Sequence, residues 1–232
     1  SAYSQFSSLS YIDVGITTPT VNQLLNFDAV FVYTTFGYQN RFTLGDNLAA
    51  YVDAGGGVVH TPVNFASFSG GLQGNWVNGD YQLMAGNNAT NNTSTATTFP
   101  ESPITEVITN VTANFRLASN SLVNDGNILS RWSDDLLLIA EKPIGEARRV
   151  DLGIYPEAMF YNFYPESQEI KLMLNALTYV GSRPGQSEVP WISLDTYEGT
   201  LAGGSQYTFQ LNYSTENLRE ATYLANINVR SN

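Results

Sequence analysis

The 232-residue chain is long enough to bury a sizeable core, either as one large domain or as a domain with a small module. It carries 21 acidic and 10 basic residues, which give a formal net charge of -11. This balance argues against a nucleic-acid surface or an anionic membrane surface, since both need clustered lysine and arginine. Cysteine is absent, which excludes thiol nucleophiles, thiolate metal ligands and disulfides. No apolar run reaches the length of a membrane-spanning helix.

The first third of the chain predicts alternating strands and helices. Residues 11–14 (YIDV) predict a short strand, and residues 19–25 predict a short helix. Residues 27–65 then predict one βαβ unit, which begins with an apolar, β-branched strand at 28–34 (DAVFVYT). The order of these elements predicts a doubly wound, mostly parallel α/β sheet.

The helix of this βαβ unit has clear start and stop signals. Thr43 offers an N-cap, and the glycines at 55–57 end the helix and permit a tight return. The next strand is predicted at residues 58–62 (VVHTP). The apolar face of the helix is formed by Leu44, Leu48 and Val52.

The amino-acid composition changes in the middle of the chain, and regular helices and strands are predicted again after it. Residues 67–100 are rich in Gly, Asn, Ser and Thr and predict a long surface excursion, with a short hairpin or helix near 76–84. A convincing antiparallel pair is predicted at 135–141 and 147–154, and an amphipathic helix at 166–180. The remaining predicted elements are a helix or turn at 103–109 and short strands at 115–118 and 128–132, which flank a turn at 124–127.

The last part of the chain predicts a separate small module. Residues 182–189 have the composition of a linker, and the hydrophobic period then changes to two. Alternating strands after Trp191 suggest a small β-sandwich. We therefore predict an α/β domain at 1–181, a linker at 182–189 and a partial Ig-like β module at 190–232.

Residues 11–180 resemble the glutamine-amidotransferase-like (ThuA-like) α/β domains of secreted prokaryotic proteins. The matching segments are PTVNQLLNFDAVFVYT, LGDNLAAYVDAGGGVVH, SPITEVITN, LLLIAEKPIGEARRVDLGIYP and IKLMLNALTYV. Residues 190–232, which begin WISLDTYEGTLAGGS, look like bacterial Ig-like (BACON-like) modules. The first resemblance implies a class I glutamine-amidotransferase-like, flavodoxin-like sheet.

Both resemblances are partial at their ends. The α/β family begins with a central strand and a helix before the point where this chain starts, and the Ig-like family continues into a further strand. Two interpretations stay open, because unpaired buried backbone is costly. Either the chain is a trimmed piece of a longer protein, or another chain supplies the strands by strand addition between subunits.

The candidate site is the crevice beyond the carboxyl ends of the strands. The amidotransferase-type enzymes that the domain resembles use a Cys nucleophile with a His base, and this chain has no Cys and one histidine, His60. A core or sheet-end position is the alternative interpretation of His60. No catalytic dyad or triad is recognisable, so we predict no catalytic residue. The candidate ligand-binding residues are His60, Trp76, Tyr38 and Asn64, and Thr34 and Thr35 follow the first strand of the βαβ unit into the same crevice.

Metal and cofactor chemistry finds no support in the sequence. The acidic turns at 125–127 and 134–135 do not match a calcium loop and are better interpreted as solvated turns. The triple glycine follows a helix and lacks the Lys and Ser/Thr of a phosphate loop. We therefore predict no metal and no cofactor.

Five sequons suggest glycosylation if the protein is exported by an archaeon or a eukaryote. Their asparagines are Asn88, Asn91, Asn92, Asn110 and Asn212. Aromatic residues such as Trp76 and Tyr81 either stack on sugars or, by default, pack in the core.

These observations favour a non-catalytic extracellular structural or interaction protein, a cell-surface or filament subunit that self-associates or binds other surface proteins. Inter-subunit strand complementation is one way in which it would assemble. The alternatives are a carbohydrate- or small-ligand-binding domain of a secreted protein and, less favoured, a Ser-dependent hydrolase. We expect no nucleic-acid partner and no membrane insertion.

Overall fold

A computed structural model describes residues 6, 8–63, 71–85, 89–156, 167–182, 192–196 and 200–214 of the chain. The chain divides into two compact units, Ser1–Arg183 and Pro184–Asn232. The domain boundaries given in the sequence analysis stay a prediction.

Unit 1 alternates helices and strands in its first part and is rich in short strands afterwards. The helices are α1 (Val21–Leu24), α2 (Arg41–Asp53), α3 (Asn75–Asn78) and α4 (Gln168–Gly181), with a 3-10 turn at Pro103–Thr105. The strands are β1 (Ala29–Val32), β2 (Gly57–His60), β3 (Ala89–Thr90), β4 (Ser94–Ala96), β5 (Val111–Ala113), β6 (Arg116–Leu117), β7 (Asn127–Arg131), β8 (Leu137–Ile144) and β9 (Ala147–Leu152).

The main sheet has five strands in the order β1-β2-β9-β8-β7. β1 pairs with β2 and β2 pairs with β9 in parallel, whereas β9 pairs with β8 and β8 with β7 in antiparallel fashion. The α/β class and the antiparallel β8–β9 hairpin are confirmed. The sheet is mixed, because β9 returns from a hairpin and then continues the parallel part.

Helices α2 and α4 cover opposite faces of the sheet, as the alternation of side chains along β2 shows. Val58 packs in one cluster with Leu44, Leu48 and Val52 of α2. Val59 points the other way and packs with α4 residues such as Met173. The predicted apolar face of α2 is therefore the face that contacts the sheet.

The return from α2 to β2 depends on glycine. Gly55 has a φ of 91°, a conformation that favours glycine, and it follows the last turn of α2. Gly57 lies against α4, where an added Cβ would fall 2.0 Å from the Val180 carbonyl oxygen. The triple glycine is thus a structural turn followed by a close helix–strand contact.

Two local predictions in the first part of the chain are wrong. Residues 11–14 are not a strand, because the carbonyl of Asp13 accepts hydrogen bonds from Ile16 and Thr17 and its carboxylate accepts one from Gly15, which makes a turn. The N-cap of α2 is Asn40 and not Thr43: the Asn40 side chain accepts a hydrogen bond from the Thr43 amide at 3.0 Å.

The excursion contains more structure than the sequence indicated. It holds α3, near the predicted 76–84 element, as well as β3 and β4. β4 pairs with β5, and β3 pairs with β6. β6 therefore does not pair with β7, although the two strands flank the 124–127 turn. A third cluster, which includes Leu83, Met84 and Leu137, packs this region on the sheet.

The described residues of unit 2 contain a two-stranded antiparallel ladder of β10 (Ile192–Leu194) and β11 (Leu211–Tyr213). Trp191, Asn64 and Asn88 are named in the predictions above and lie outside the described residues. The two-stranded ladder by itself does not establish an Ig-like sandwich.

Candidate functional site

The carboxyl end of β2 brings His60 next to a charged pair on β9. In the parallel register, Val58 lies opposite Arg149 and His60 lies opposite Asp151. Because side chains alternate along a strand, Arg149, Asp151 and His60 all point to the α2 face of the sheet. All three are buried, with His60 3% exposed and both charged residues fully enclosed.

Arg149 and Asp151 form a buried ion pair that also satisfies backbone groups. The guanidinium Nη2 donates to Asp151 Oδ1 at 2.6 Å, Nε donates to the Tyr81 carbonyl at 3.0 Å, and Nη1 donates to the Val58 carbonyl. Asp151 Oδ2 accepts hydrogen bonds from the amides of Leu83 and Met84, at 3.0 and 2.9 Å. The pair therefore ties the segment 81–84 to the middle of the sheet.

The electrostatics of this pair are set by burial and by mutual attraction. Burial raises the pKa of the Asp151 carboxyl, but the positive charge of Arg149 and hydrogen bonds to the carboxylate outweigh burial and leave the pKa below its usual range. Burial lowers the pKa of Arg149, and Asp151 opposes that shift. A carboxylate held in this way is a structural anion.

Trp76 packs inside this cluster and not on the surface. The Arg149 guanidinium carbon lies 4.2 Å from the centre of the Trp76 ring, and Tyr81 stacks on the indole with ring centroids 6.2 Å apart. The His60 ring meets Trp76 edge-to-face at 5.7 Å. Trp76 is fully buried, so the structure favours core packing over a sugar-stacking platform.

The His60 imidazole is held close to Asp151 without a direct hydrogen bond. Nδ1 lies 3.6 Å from Asp151 Oδ1, which is too long for a hydrogen bond but close enough for electrostatic attraction. Nδ1 is buried and has no hydrogen-bond partner among the described residues. His60 and Asp151 are the residue types that serve as base and orienting carboxylate in a catalytic triad, but here the carboxylate of Asp151 is hydrogen-bonded to Arg149.

The other predicted crevice residues take structural contacts. Thr34 Oγ1 accepts a hydrogen bond from the Gly37 amide at 2.8 Å, and Thr35 Oγ1 lies 2.7 Å from the Tyr155 hydroxyl. Tyr38 packs against the α2 cluster, where burial raises the pKa of its phenol. The structure therefore brings Tyr38, His60 and Trp76 to one side of the sheet.

A cavity of about 320 Å³ opens beyond the carboxyl end of β2. Of the predicted site residues, only His60 is among the described residues that line it. The others are Pro62, Gly71, Leu72, Gln73, Val77, Gln82, Ala85, Val123 and Asn124.

The predicted acidic turn at 134–135 is used in ion pairs. Arg116, which is buried, donates to both carboxylate oxygens of Asp134 at 2.8 and 3.1 Å, and this hydrogen bonding lowers the pKa of Asp134. Asp135 lies 3.6 Å from Arg131. No cluster of three metal-ligating side chains occurs in the described parts of the chain. Across those same parts, no helix is long and apolar enough to cross a membrane.

Sequence reasoning missed Arg149 and Asp151. The signal that pointed to them was an alternation of charged and apolar residues, ARRVDL, in a strand expected to be buried between two layers. A charge at a buried strand position implies a partner. The sequence did not show that the partner groups come from residues 58 and 81–84.

Comparison with solved structures supports the fold. The cytoplasmic protein STM3548 from Salmonella typhimurium matches with a TM-score of 0.51 and 14% identity, over 72% of this chain and 77% of that chain. The cytoplasmic protein STM1381 from Salmonella typhimurium LT2 matches with a TM-score of 0.51 and 15% identity, over 69% and 75%. The mmIFT52 N-terminal domain matches with a TM-score of 0.50 and 16% identity, over 71% and 81%.

No family model and no curated protein matches the chain. At 14–16% identity, the similarity to these solved structures shows a shared α/β fold and nothing about activity or location.

Proposed function

We propose that the chain is a non-catalytic structural or interaction protein of the cell exterior, a subunit of a surface layer or filament that self-associates through unit 2. In this proposal unit 1 is a catalytically silent relative of the doubly wound amidotransferase-like domains. Unit 2 is part of an Ig-like β module that adds strands between subunits.

The observation that carries the proposal is an apolar stripe on unit 2. Tyr207, Phe209, Leu211 and Tyr213 occupy alternate positions leading into and through β11, and they are 61%, 40%, 45% and 76% exposed. Leu211 and Tyr213 share one face of β11, and we infer that Tyr207 and Phe209 continue this face as one stripe in the segment that precedes the strand. A stripe of this kind is the part of a β module that normally faces a core or a partner.

The backbone of unit 2 also suits strand addition. In the two-stranded ladder β10–β11, each strand pairs on one side only among the described residues. Edge strands with apolar side chains pair readily with another chain, and main-chain hydrogen bonds then provide affinity. The occupant that we propose is the same segment of a second copy.

The proposal that the domain is catalytically silent is supported by the surroundings of His60. The described residues that line its cavity include no serine, threonine or carboxylate that could serve as nucleophile or acid. Asp151, the nearest carboxylate, is engaged by Arg149 and by two backbone amides.

An exterior location is supported by accessible sequons. Asn91, Asn92, Asn110 and Asn212 are all exposed, so an oligosaccharyltransferase could reach each of them. The intact mass of protein purified from its native source tests this part of the proposal. A mass equal to that of the bare polypeptide would remove glycosylation from it.

Self-association is tested by light scattering coupled to size exclusion over a range of concentrations, followed by electron microscopy of the larger species. The net charge of -11 makes identical subunits repel one another, so we expect association to strengthen as salt increases. A contact with a basic partner would instead weaken with salt.

The variant Phe209→Ser/Leu211→Ser removes the centre of the stripe, and Gln210→Ser/Asn212→Ser is its matched control on the opposite face. We expect the first variant to stay monomeric and the control to associate like the wild type. Circular dichroism checks that unit 1 remains folded in both. A wild-type protein that is monomeric at every concentration and salt level would refute the proposal.

A further inference from the structure

The cavity beside His60 is independent of the stripe on unit 2 and has the features of a small-ligand site. It lies beyond the carboxyl end of β2, where open α/β sheets commonly bind ligands. Its volume of about 320 Å³ falls at the small end of the range for ligand pockets.

One buried polar atom in the lining of this cavity lacks a hydrogen-bond partner within the described parts of the chain. It is Nδ1 of His60, a residue that is 3% exposed. Folded proteins rarely leave such an atom unpaired, because it costs free energy when it is withdrawn from water. The unpaired imidazole nitrogen therefore indicates a position where a polar molecule is accommodated.

The described residues that line the cavity include no aspartate, glutamate, lysine or arginine. In the nearest ion pair, Arg149 Nη2 lies 2.6 Å from Asp151 Oδ1, so the two charges neutralise each other. A phosphate or carboxylate would find no cation to compensate it, and the acidic protein would repel it. An ammonium group would find no free carboxylate among the described lining residues. The ligand class that fits is neutral.

Three amide side chains provide a fixed set of donors and acceptors. Gln82 donates to the Met84 carbonyl at 2.7 Å, Asn124 donates to the Gln82 carbonyl at 2.6 Å, and Gln73 donates to the Leu72 carbonyl at 2.9 Å. Each bond uses one of the two amide hydrogens, so each nitrogen keeps a further donor. Hydroxyl groups suit such a lining, because a hydroxyl both donates and accepts.

We infer that this cavity binds a small, neutral, polyhydroxylated molecule of about monosaccharide size. The amides of Gln73, Gln82 and Asn124 and the imidazole of His60 bind its hydroxyls. Leu72, Val77 and Val123 contact its C–H faces. Asp151 and Trp76 act as positioning residues, because they hold the imidazole at the cavity wall.

The test uses the full chain and a panel of neutral monosaccharides, with a sugar phosphate and a uronic acid as charged probes. Saturation-transfer NMR detects binding, and calorimetry measures the affinity. Val77→Trp and Val123→Trp fill the cavity from its rim, where these residues are 40% and 50% exposed. Leu25→Trp is the matched control, because Leu25 is 46% exposed and does not line the cavity.

We expect at least one neutral sugar to bind saturably and the charged probes to bind more weakly or not at all. Each tryptophan on the rim should weaken binding by about tenfold or more, since it fills part of the space that the sugar occupies. Leu25→Trp should bind as the wild type does. The inference is overturned if no neutral sugar binds, if a charged probe binds more tightly, or if all three tryptophan variants bind equally.

Discussion

Replacing Arg149 by methionine removes the charge from the buried pair while keeping a side chain of similar length. The change deletes the hydrogen bonds from the guanidinium to Val58, Tyr81 and Asp151 and the stacking contact with Trp76. It also leaves the Asp151 carboxylate buried, with two backbone amides as its remaining hydrogen-bond donors among the described residues. We expect the segment 81–84 to lose its attachment to the sheet.

The magnitude follows from burial. Removing one partner of a fully buried pair costs about 3–5 kcal/mol of unfolding free energy, because the other charge stays uncompensated. In a unit of this size each kcal/mol lowers the melting temperature by about 2–4 °C. The expected decrease is therefore about 6–20 °C near neutral pH.

The stability difference between Arg149→Met and the wild type should depend on pH, and the pKa of Asp151 sets the direction of the change. In the wild type the lowered pKa of Asp151 stabilises the folded state above the ordinary aspartate pKa, and this contribution is lost as the pH falls through the lowered value. Without Arg149, burial raises the folded pKa of Asp151 above its unfolded value. The variant then gains stability relative to the wild type as the pH falls toward about 4.

Thermal unfolding followed by circular dichroism, at about pH 7 and about pH 4.5, measures both effects. The matched control is Arg148→Met on the opposite face of the same strand, where the guanidinium bonds to Tyr179 and Ser182 without a buried carboxylate. We expect the control to lose about 1–2 kcal/mol, with little dependence on pH. A loss in Arg149→Met no larger than in the control, or one that stays constant with pH, would refute the reasoning.

Three further outcomes follow from the structure. Gly57→Ala should lower the unfolding free energy by at least about 2 kcal/mol in chemical denaturation, because its Cβ would overlap the backbone of α4, whereas Gly203→Ala has open space and should be neutral. The phenol of Tyr81 has a pKa raised to about 12, by burial and by its hydrogen bond to a carboxylate of α2. Stability should therefore decline from about pH 10 to 12, with a shallower decline in Tyr81→Phe, as melting temperatures across that range would show. Arg116→Met should destabilise unit 1 by about 2–3 kcal/mol in urea unfolding, since Arg116 is buried and donates to the backbone carbonyl of residue 92. Asp134→Asn should cost clearly less free energy of unfolding, because the Asp134 side chain is half-exposed. Equal losses in the two variants would contradict this account.

Local signals in the sequence were sufficient for the elements whose stability is local. The βαβ unit, the β8–β9 hairpin and α4 all combine apolar periodicity with a Gly or Pro turn or a capping residue. Residues 11–14 show how such signals fail. Their apolar pattern imitates a strand, but Asp13 forms a turn with its own neighbours instead.

The site was less predictable, because its contacts join distant parts of the chain. His60 was identified as a candidate from its residue type and its place after β2. Arg149 and Asp151 form hydrogen bonds with backbone groups 67 to 91 residues away, and such contacts cannot be predicted from the periodicity of the sequence. Trp76, an isolated aromatic in a polar excursion, gave no sign that a guanidinium would cover its ring.

The position of β9 in the sheet has a consequence for how the chain folds. With β8 it forms a hairpin whose contacts are close in sequence, whereas its contact with β2 joins residues up to 91 positions apart. Closing the long loop costs more chain entropy, so we expect the hairpin to form first and β2 to dock on it later. Gly145→Ala, which strains the hairpin turn at a φ of 59°, should then slow folding, and Leu48→Ala in α2 should mainly speed unfolding, as stopped-flow kinetics would show. The opposite pattern would mean that the βαβ unit forms first and recruits β9. In the expected order, the strand that carries Arg149 and Asp151 is already in place before their partners arrive.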